Sequence, residues 1–382
     1  MHTSFSQNYA KQVENNNRFT FELFSGLNNS ENNLFLSPFS VSSALAMTYE
    51  GARNKTRTEM SEVLHFPLDG NILNTSFKRI ISETQKSVNP KFYRLNIANS
   101  IWAQKNYRFL HSFFTAVNEY YGAKIEEVNF KTAEEREIAR KKINDWTAKK
   151  TNDKIKDLLD KNSLDSDTKM VLVNAVYFLA KWDKTFNEKL TKQDIFYGFE
   201  KNVKKDFMHT KKRMKYAENE GVKLVEIPYK DKRASMIIIM PDTSLNYRNF
   251  VKNLNINSYR KLYKNGEYHN VNLTFPKFKI NYKNDLAKTL YDAGMQRAFS
   301  NRADFTGMTC KKELRIDKVI HQTFINVDEA GTEAAAATAV VMKRITSVNP
   351  NDIVNFKADR PFVFLIAEKN TGSILFIGQL VK

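Results

Sequence analysis

Apolar residues in the early part of the chain recur at intervals of three and four, whereas later they alternate or run together. The first spacing is that of helices with one buried stripe and the second that of strands. Residues 5–27 predict an amphipathic helix with Phe19, Phe21 and Phe24 on its apolar side. Ser37-Pro38 reads as a helix start with proline in the first turn. The apolar face then continues through Val41, Leu45, Met47 and Tyr49 and closes at Gly51. Further helices are predicted over 56–64, 71–87, 108–121 and 133–149. Residues 95–102 alternate like a strand, and 170–179 (MVLVNAVYFL) form an unbroken apolar run, as in a strand covered on both faces. Strand-like runs follow at 222–229, 235–240, 271–280 and 314–327. Two more, PFVFLIAE and SILFIGQLV, are joined at Asn370-Thr371-Gly372. Helices lead and strands dominate the later part without regular alternation, which predicts an α+β fold. No internal repeat and no Pro/Ser/Gly linker divides the chain, so 1–382 is expected to be one domain.

Composition narrows the chemistry. A hydrophobic fraction of 42% supplies a substantial core. No run approaches the roughly 18 apolar residues of a spanning helix. MHTSFSQNYAKQ lacks an apolar signal core, which fits either an intracellular chain or one whose leader has been removed. Cys310 is the single cysteine, so no intramolecular disulfide forms. Phosphate-loop, GxGxxG, HExxH and GxSxG motifs are absent, and His2, His65, His111, His209, His269 and His321 lie far apart in sequence. Neither an enzyme nor a metal or cofactor is therefore expected. Asn-x-Ser/Thr sites at Asn28, Asn54, Asn74 and Asn272 carry little weight in so Asn-rich a chain.

The 60 basic residues against 42 acidic ones give a net charge of +18, a field that favours polyanions. Two stretches concentrate it. The first holds Lys78, Arg79, Lys86, Lys91, Arg94, Lys105 and Arg108 against Glu83. The second holds Lys201, Lys204, Lys205, Lys211, Lys212, Arg213 and Lys215 against Asp206. Each stretch also reads as an ordinary solvated surface, and the second equally as a protease exosite. Nucleic acid is set aside, because no recognisable binding module accompanies the charge.

One segment departs from an ordinary domain. Residues 329–341 read EAGTEAAAATAVV. Alanine favours helix, but Gly331 stands at the start, and β-branched Val340, Val341, Ile345 and Thr346 follow. A polar stretch with Pro350 comes next. The pattern suits a long exposed loop able to become a buried strand. One strand face would carry Thr332, Ala334, Ala336 and Thr338, all compact, and the other Glu333, Ala335, Ala337 and Ala339. Fourteen such residues reach about 46 Å when extended.

This segment resembles the reactive-loop hinge of the serpins. The resemblance spans nearly the whole chain. Asn33-Leu-Phe-Leu-Ser37-Pro38-Phe-Ser40, with Ala44-Leu45-Ala-Met47 and Gly51-Ala52, is similar to the family's second helix. Asn174-Ala-Val-Tyr177-Phe178, Lys181-Trp182 and Phe186 resemble its central strand. Pro276-Lys277-Phe278, Ala303-Asp304-Phe305 and His321 fall in the expected order. Asp359-Arg-Pro361-Phe362-Val-Phe364 and Gly372-Ser-Ile-Leu-Phe376-Ile-Gly378 match the closing strands. The resemblance implies about nine helices around three β-sheets, with hinge and reactive-centre loop over 329–352. It also implies a monomeric suicide inhibitor of serine proteases that traps its target by inserting the cleaved loop into the large sheet.

Roles follow from the resemblance. The hinge comprises Glu329, Gly331, Thr332, Glu333, Ala334, Ala336 and Thr338, with Gly331 as pivot and Glu329 paired to Lys277. Ser37, Ser40, Asn174 and His321 form a hydrogen-bonded cluster beneath the opening strands, and Trp182 marks the top of the sheet. The family's usual spacing places the reactive bond at Ile345–Thr346. One residue shorter gives Arg344–Ile345, which is preferred because Arg344 suits the acidic pocket of a trypsin-like protease. Lys343–Arg344 is a third alternative, and Ile345 would suit an elastase-like one. The loop is similar to the antithrombin type, and the family's glycosaminoglycan-activated members bind near the 71–87 helix. A heparin-like activator is accordingly expected at Lys78, Arg79, Lys86, Lys91 and Arg94 or at Lys204, Lys205, Lys211, Lys212 and Arg213. A secreted, extracellular protein is the preferred expectation and a cytoplasmic one the alternative. A non-inhibitory carrier is the rival reading, opposed by the alanine run 334–337.

Overall fold

The computed structural model describes residues 2–28, 31–86, 89–106, 108–332 and 353–382. Among them are nine α-helices: α1 (His2–Leu27), α2 (Pro38–Gly51), α3 (Asn54–Leu64), α4 (Gly70–Gln85), α5 (His111–Tyr121), α6 (Ala133–Lys150), α7 (Tyr247–Asn253), α8 (Ile256–Lys264) and α9 (Ala287–Asp292). The strands in chain order are β1 (Leu34–Leu36), β2 (Tyr93–Gln104), β3 (Lys124–Val128), β4 (Met170–Lys181), β5 (Lys192–Tyr197), β6 (Asn202–Asn219), β7 (Val222–Pro228), β8 (Ala234–Pro241), β9 (Glu267–Pro276), β10 (Phe278–Asp285), β11 (Lys318–Val327), β12 (Gly331–Thr332), β13 (Ile353–Lys357), β14 (Phe362–Glu368) and β15 (Ile374–Leu380).

Two hydrogen-bonded sheets hold these strands, where the resemblance implied three. One is six-stranded, in the order β10-β11-β12-β4-β2-β3. The other runs β1-β15-β14-β8-β7-β6-β9-β13, with β5 added on β6. The difference lies in β6. Its 18 residues pair with β5 and β9 along one stretch and with β7 at the other end, fusing two sheets into one network.

The run 170–179 lies in β4, and its two faces serve two cores. Val176, Phe178 and Ala180 pack on Phe35, Met236, Ile238, Phe364 and Phe376 of the larger sheet. Val171, Val173 and Ala175 pack with Trp102 against Ala139 and Ile143 of α6. Helix α2 is buried at every residue except Glu50, which explains why its sequence mixes small polar and apolar residues instead of showing one stripe. Phe19, Phe21 and Phe24 of α1 divide: Phe19 joins the helical core around α2, while Phe21 and Phe24 cover the larger sheet beside α8.

The predicted strand 271–280 is two strands. β9 ends at Pro276, which has no N–H for a ladder. Lys277 N–H turns instead to Asp206 O at 2.8 Å, and β10 then crosses into the smaller sheet. The predicted strand 314–327 begins only at Lys318. Helices α7, α8 and α9 and strands β1, β3, β5, β6 and β13 have no counterpart in the sequence reading.

Close approach between β1 and β15 depends on Gly378. A Cβ there would lie 2.6 Å from Leu34 O and 2.6 Å from the Phe364 ring. Gly378→Val should therefore cost about 1–3 kcal/mol of stability, seen as a lower guanidinium midpoint. An unchanged midpoint would contradict this packing.

Candidate functional site

Ser37, Ser40, Asn174, Trp182, His321, Glu329, Gly331 and Thr332 of the residues singled out from the sequence converge around the cleft between β4 and β11. These strands pair directly and in parallel from Val171↔Lys318 to Val176↔Thr323. Towards the other end, β12 stands between them, antiparallel to both: Thr332 opposes Val327 on one side and Ala180 on the other.

Beneath the paired half lies a buried polar cluster. His321 and Asn174 oppose each other across the strand pair, with His321 Nδ1 2.6 Å from Asn174 Oδ1. The Ser37 N–H donates to His321 Nε2 at 3.1 Å. An accepting Nε2 requires the proton on Nδ1, which then donates to Asn174. Complete burial pushes the His321 pKa down to about 3, so the ring stays neutral. Asn174 Nδ2 donates to Ser40 Oγ and to Asn99 Oδ1. Ser37 Oγ donates to Leu375 O at 2.8 Å and accepts from the Ser40 N–H at 3.4 Å, capping α2. Thr323 Oγ1 donates to Phe35 O at 2.5 Å. The cluster thus ties the start of α2, together with β1 and β15, to β2, β4 and β11. Asn99 and Thr323 were missed from the sequence. The available signal was a polar residue at a buried position within an apolar strand.

At the open end a second network holds the chain that enters β12. Trp182 N–H donates to Ala330 O at 3.0 Å, and its indole N–H to Asp328 O at 2.9 Å. The indole stacks on Tyr229, 4.6 Å apart and nearly parallel at 4°. Tyr229 OH is 2.7 Å from Thr332 Oγ1. Asp328 Oδ1 accepts from the N–H groups of Ala330 and Gly331 at 2.9 and 3.2 Å. Burial raises its pKa, with those two donors working against the rise. Gly331 lies so close to β4 that a Cβ would overlap Ala180 O and sit 2.7 Å from Lys181 Cα. Glu329 carries the expected partner: Lys277 Nζ is 3.0 Å from Oε2, and Thr191 Oγ1 donates to Oε1 at 2.7 Å. Burial opposes the charge on Glu329, but these donors outweigh it and hold the pKa below the ordinary value. Tyr229 and Thr191 had no sequence signal, since each lies far along the chain from its partner.

The two basic stretches disperse in space. Lys78 pairs with Glu119 at 3.1 Å and Arg79 lies 4.2 Å over the Tyr9 ring, both staying exposed along with Lys86, Lys91, Lys105 and Arg108, while Arg94 is half-buried. On β6, Lys204, Lys211 and Arg213 are exposed, whereas Lys205 lies over Phe196. Lys212 turns inward to the carbonyls of Lys184 and Thr185, and burial with neighbouring Lys184 brings its pKa down to about 8. Glu333, Ala334, Ala336, Thr338, Lys343, Arg344, Ile345 and Thr346 lie outside the described residues.

Residues 14–382 match the family model described as serpin (serine protease inhibitor). A serpin-like protein of Thermococcus kodakarensis is 37% identical over 366 residues, covering 96% of this chain and 84% of the relative. Human Serpin B8 is 38% identical over 375 residues, covering 96% and 98%. Among solved structures, the thermophilic serpin tengpin in its native state superposes with a TM-score of 0.88 at 31% identity, covering 97% of this chain and 94% of tengpin. Human thyroxine-binding globulin complexed with thyroxine superposes at 0.86 and 27%, covering 98% and 99%.

Tyr229→Phe keeps the stack on Trp182 but leaves the buried Thr332 hydroxyl without this partner, at a cost of about 1–3 kcal/mol. The expected result is a lower denaturation midpoint in the intact protein, and an unchanged midpoint would show the contact to be idle. For His321, the unfolded ring binds its proton near pH 6.5 and the folded ring only near 3. Its contribution is complete above about pH 6.5 and is lost as pH falls towards 3. In guanidinium titrations His321→Gln should flatten that decline, and a slope equal to the parent's would exclude the buried neutral ring as its cause.

Proposed function

We propose that this chain, which belongs to the serpin family, is a suicide-substrate inhibitor of a trypsin-like serine protease. The observation that carries the reading is β12. Its two residues already form the beginning of a strand between β4 and β11. Continuation from Thr332 through Glu333 and the small residues 334–339 would extend that strand down the cleft.

The reaction is the one that the resemblance to serpins implies. The protease's serine oxygen attacks the Arg344 carbonyl, the 344–345 peptide bond breaks, and the amine of Ile345 leaves as a new N-terminus. Arg344 remains as an ester on the protease. The segment before it, no longer tied at both ends, pairs with β4 and β11 and carries the ester-linked protease along the sheet before water can release it. Arg344 would place its guanidinium in an acidic specificity pocket. Cleavage after Ile345 would instead indicate an elastase-like target, and after Lys343 a shift by one residue. A sulfated polysaccharide accelerates the encounter in this reading, supported by the net charge of +18. With Cys310 as the single cysteine, the device uses no disulfide and works equally in a secreted or a cytoplasmic setting.

The test is incubation with trypsin, followed by denaturing electrophoresis and mass spectrometry of the released fragment. An SDS-stable complex and a fragment beginning at Ile345 are expected. A chain cut without complex, or left uncut, would exclude inhibition and favour a carrier. Thr332→Arg brings a long charged side chain to a position only 1% exposed. Cleavage should continue in that variant while the stable complex falls by about tenfold or more, since burying an unpaired charge is strongly unfavourable. Undiminished complex would refute insertion through this position.

A further inference from the structure

Lys212 lies outside the cleft between β4 and β11, on the inward-facing side of β6, where it opposes the fully buried Val271. Its amine donates to Lys184 O and, at 3.5 Å, to Thr185 O, and lies 5.3 Å from the centre of the Phe186 ring. The same side chain lines a cavity of about 280 Å³ with Asp183, Lys184, Met214, Ile227, Pro228 and Asn270. Two charged groups face it from the segment after β4, those of Asp183 and Lys184. β7 supplies only uncharged Ile227 and Pro228, and β9 only Asn270. Lys211 and Arg213 border the cavity from β6 itself, but their side chains alternate to the other face of the strand. Lys184 is exposed, so the cavity communicates with solvent.

We propose that Lys212 is a covalent binding site for small anionic aldehydes, which it holds in this cavity as a Schiff base. The amine nitrogen adds to the aldehyde carbon, water leaves, and a C=N bond replaces the C=O bond. No oxidant, reductant or further reactant is consumed. A lysine attacks only when unprotonated, and withdrawal from water favours that form. Burial, reinforced by the Lys184 charge, brings the Lys212 pKa down from 10.5 to about 8. The protonated imine keeps one N–H, which suffices for the contact with Lys184 O. The longer contact, to Thr185 O, is the one given up. The neighbouring charges select the ligand. Lys184 acts on Lys212 more strongly than Asp183 does, so the field at the amine is positive and draws a carboxylate towards it. The volume lies just below that of pockets for drug-sized molecules, which limits the aldehyde to a few carbons. Phe186, beside the same amine, donates its N–H to Glu329 O at 2.9 Å, so an occupant lies next to the support of the hinge. The inference does not rest on the trapping of a protease.

The experiment incubates intact protein with glyoxylate, or with acetaldehyde as its neutral counterpart, over a series of pH values and fixes imines with cyanoborohydride. Peptide mass spectrometry then reads the reduced adduct at each lysine. Near neutral pH, Lys212 should label at least about tenfold faster than the exposed Lys211, because far more of it is unprotonated. Its rate should level off above about pH 8 while that of Lys211 keeps rising. Lys184→Gln should reduce the preference for glyoxylate over acetaldehyde by about tenfold at Lys212 and leave it unchanged at Lys211. Lys184→Arg, which keeps the charge, should preserve the preference. Labelling of Lys212 no faster than that of Lys211 overturns the site. An undiminished preference for glyoxylate in Lys184→Gln overturns the anionic ligand class. Circular dichroism melting verifies that the variants fold. Should Lys184→Gln unfold, labelling of the parent at high salt repeats the test, since screening of the Lys184 charge should lower the same preference. Complex formation with trypsin by the unlabelled parent, measured in parallel, reports separately on the inhibitory reading.

Discussion

The smaller sheet has to keep β4 and β11 joined at one end and parted at the other. At the joined end, direct backbone pairing stops at Val176 and Thr323, and the buried His321–Asn174 hydrogen bond lies within it. At the parted end, Gly331 and Thr332 fill the gap and satisfy both edges. A parted pair of strands left empty would bury backbone donors and acceptors without partners, which is costly. The wedge removes that cost for two residues only. A longer insert of small side chains would meet the same unpaired edges at every further step, but only if the six paired positions first separate.

The chemistry of the cluster suits such a separation. Apolar side chains at its place would lock by shape, and close-packed interiors resist small shifts. Hydroxyl, amide and imidazole groups can exchange partners at similar energy, provided that none is left unsatisfied. The neutral state of His321 matters for the same reason. A charged ring could not accept from the Ser37 N–H, and the start of α2 would lose one of its ties to the cleft. At the opposite end the acid two residues before Gly331 is charged and held in place. Glu329 is held by Lys277 from the turn between β9 and β10 and by Thr191. The chain that leads into β12 is therefore anchored at Glu329.

What was legible in the sequence follows from range. The apolar run of β4 and the proline start of α2 are local patterns and carry through to the structure, whereas the small residues of the hinge beyond Thr332 lie outside the described residues. The pairing of Glu329 with Lys277 and the grouping of Ser37, Ser40, Asn174 and His321 came from the ordered resemblance, since no periodicity links such distant positions. Tyr229, Asn99 and Thr191 escaped both routes. Each contributes one polar group to a buried network, and a single Tyr, Asn or Thr in a sequence looks like any other. β6 escaped for a different reason. Its outer face is so rich in lysine that charge masked the buried Met208, Met214 and Tyr216 beneath.

The same strand shows why a basic run must be read by face. Side chains alternate along a strand, so Lys211 and Arg213 point one way and Lys212 the other. Lys212 lies against the Phe186 ring, 5.3 Å from its centre, with its ammonium on the carbonyls of Lys184 and Thr185. Phe186 N–H in turn donates to Glu329 O at 2.9 Å, and the segment ends at Thr191, which holds the Glu329 carboxylate. One lysine of the run is thus part of the support under the hinge, while its two neighbours face solvent. Charge that looks uniform in the sequence is divided by a two-residue period into a structural half, bound to the segment that supports Glu329, and a half that faces solvent.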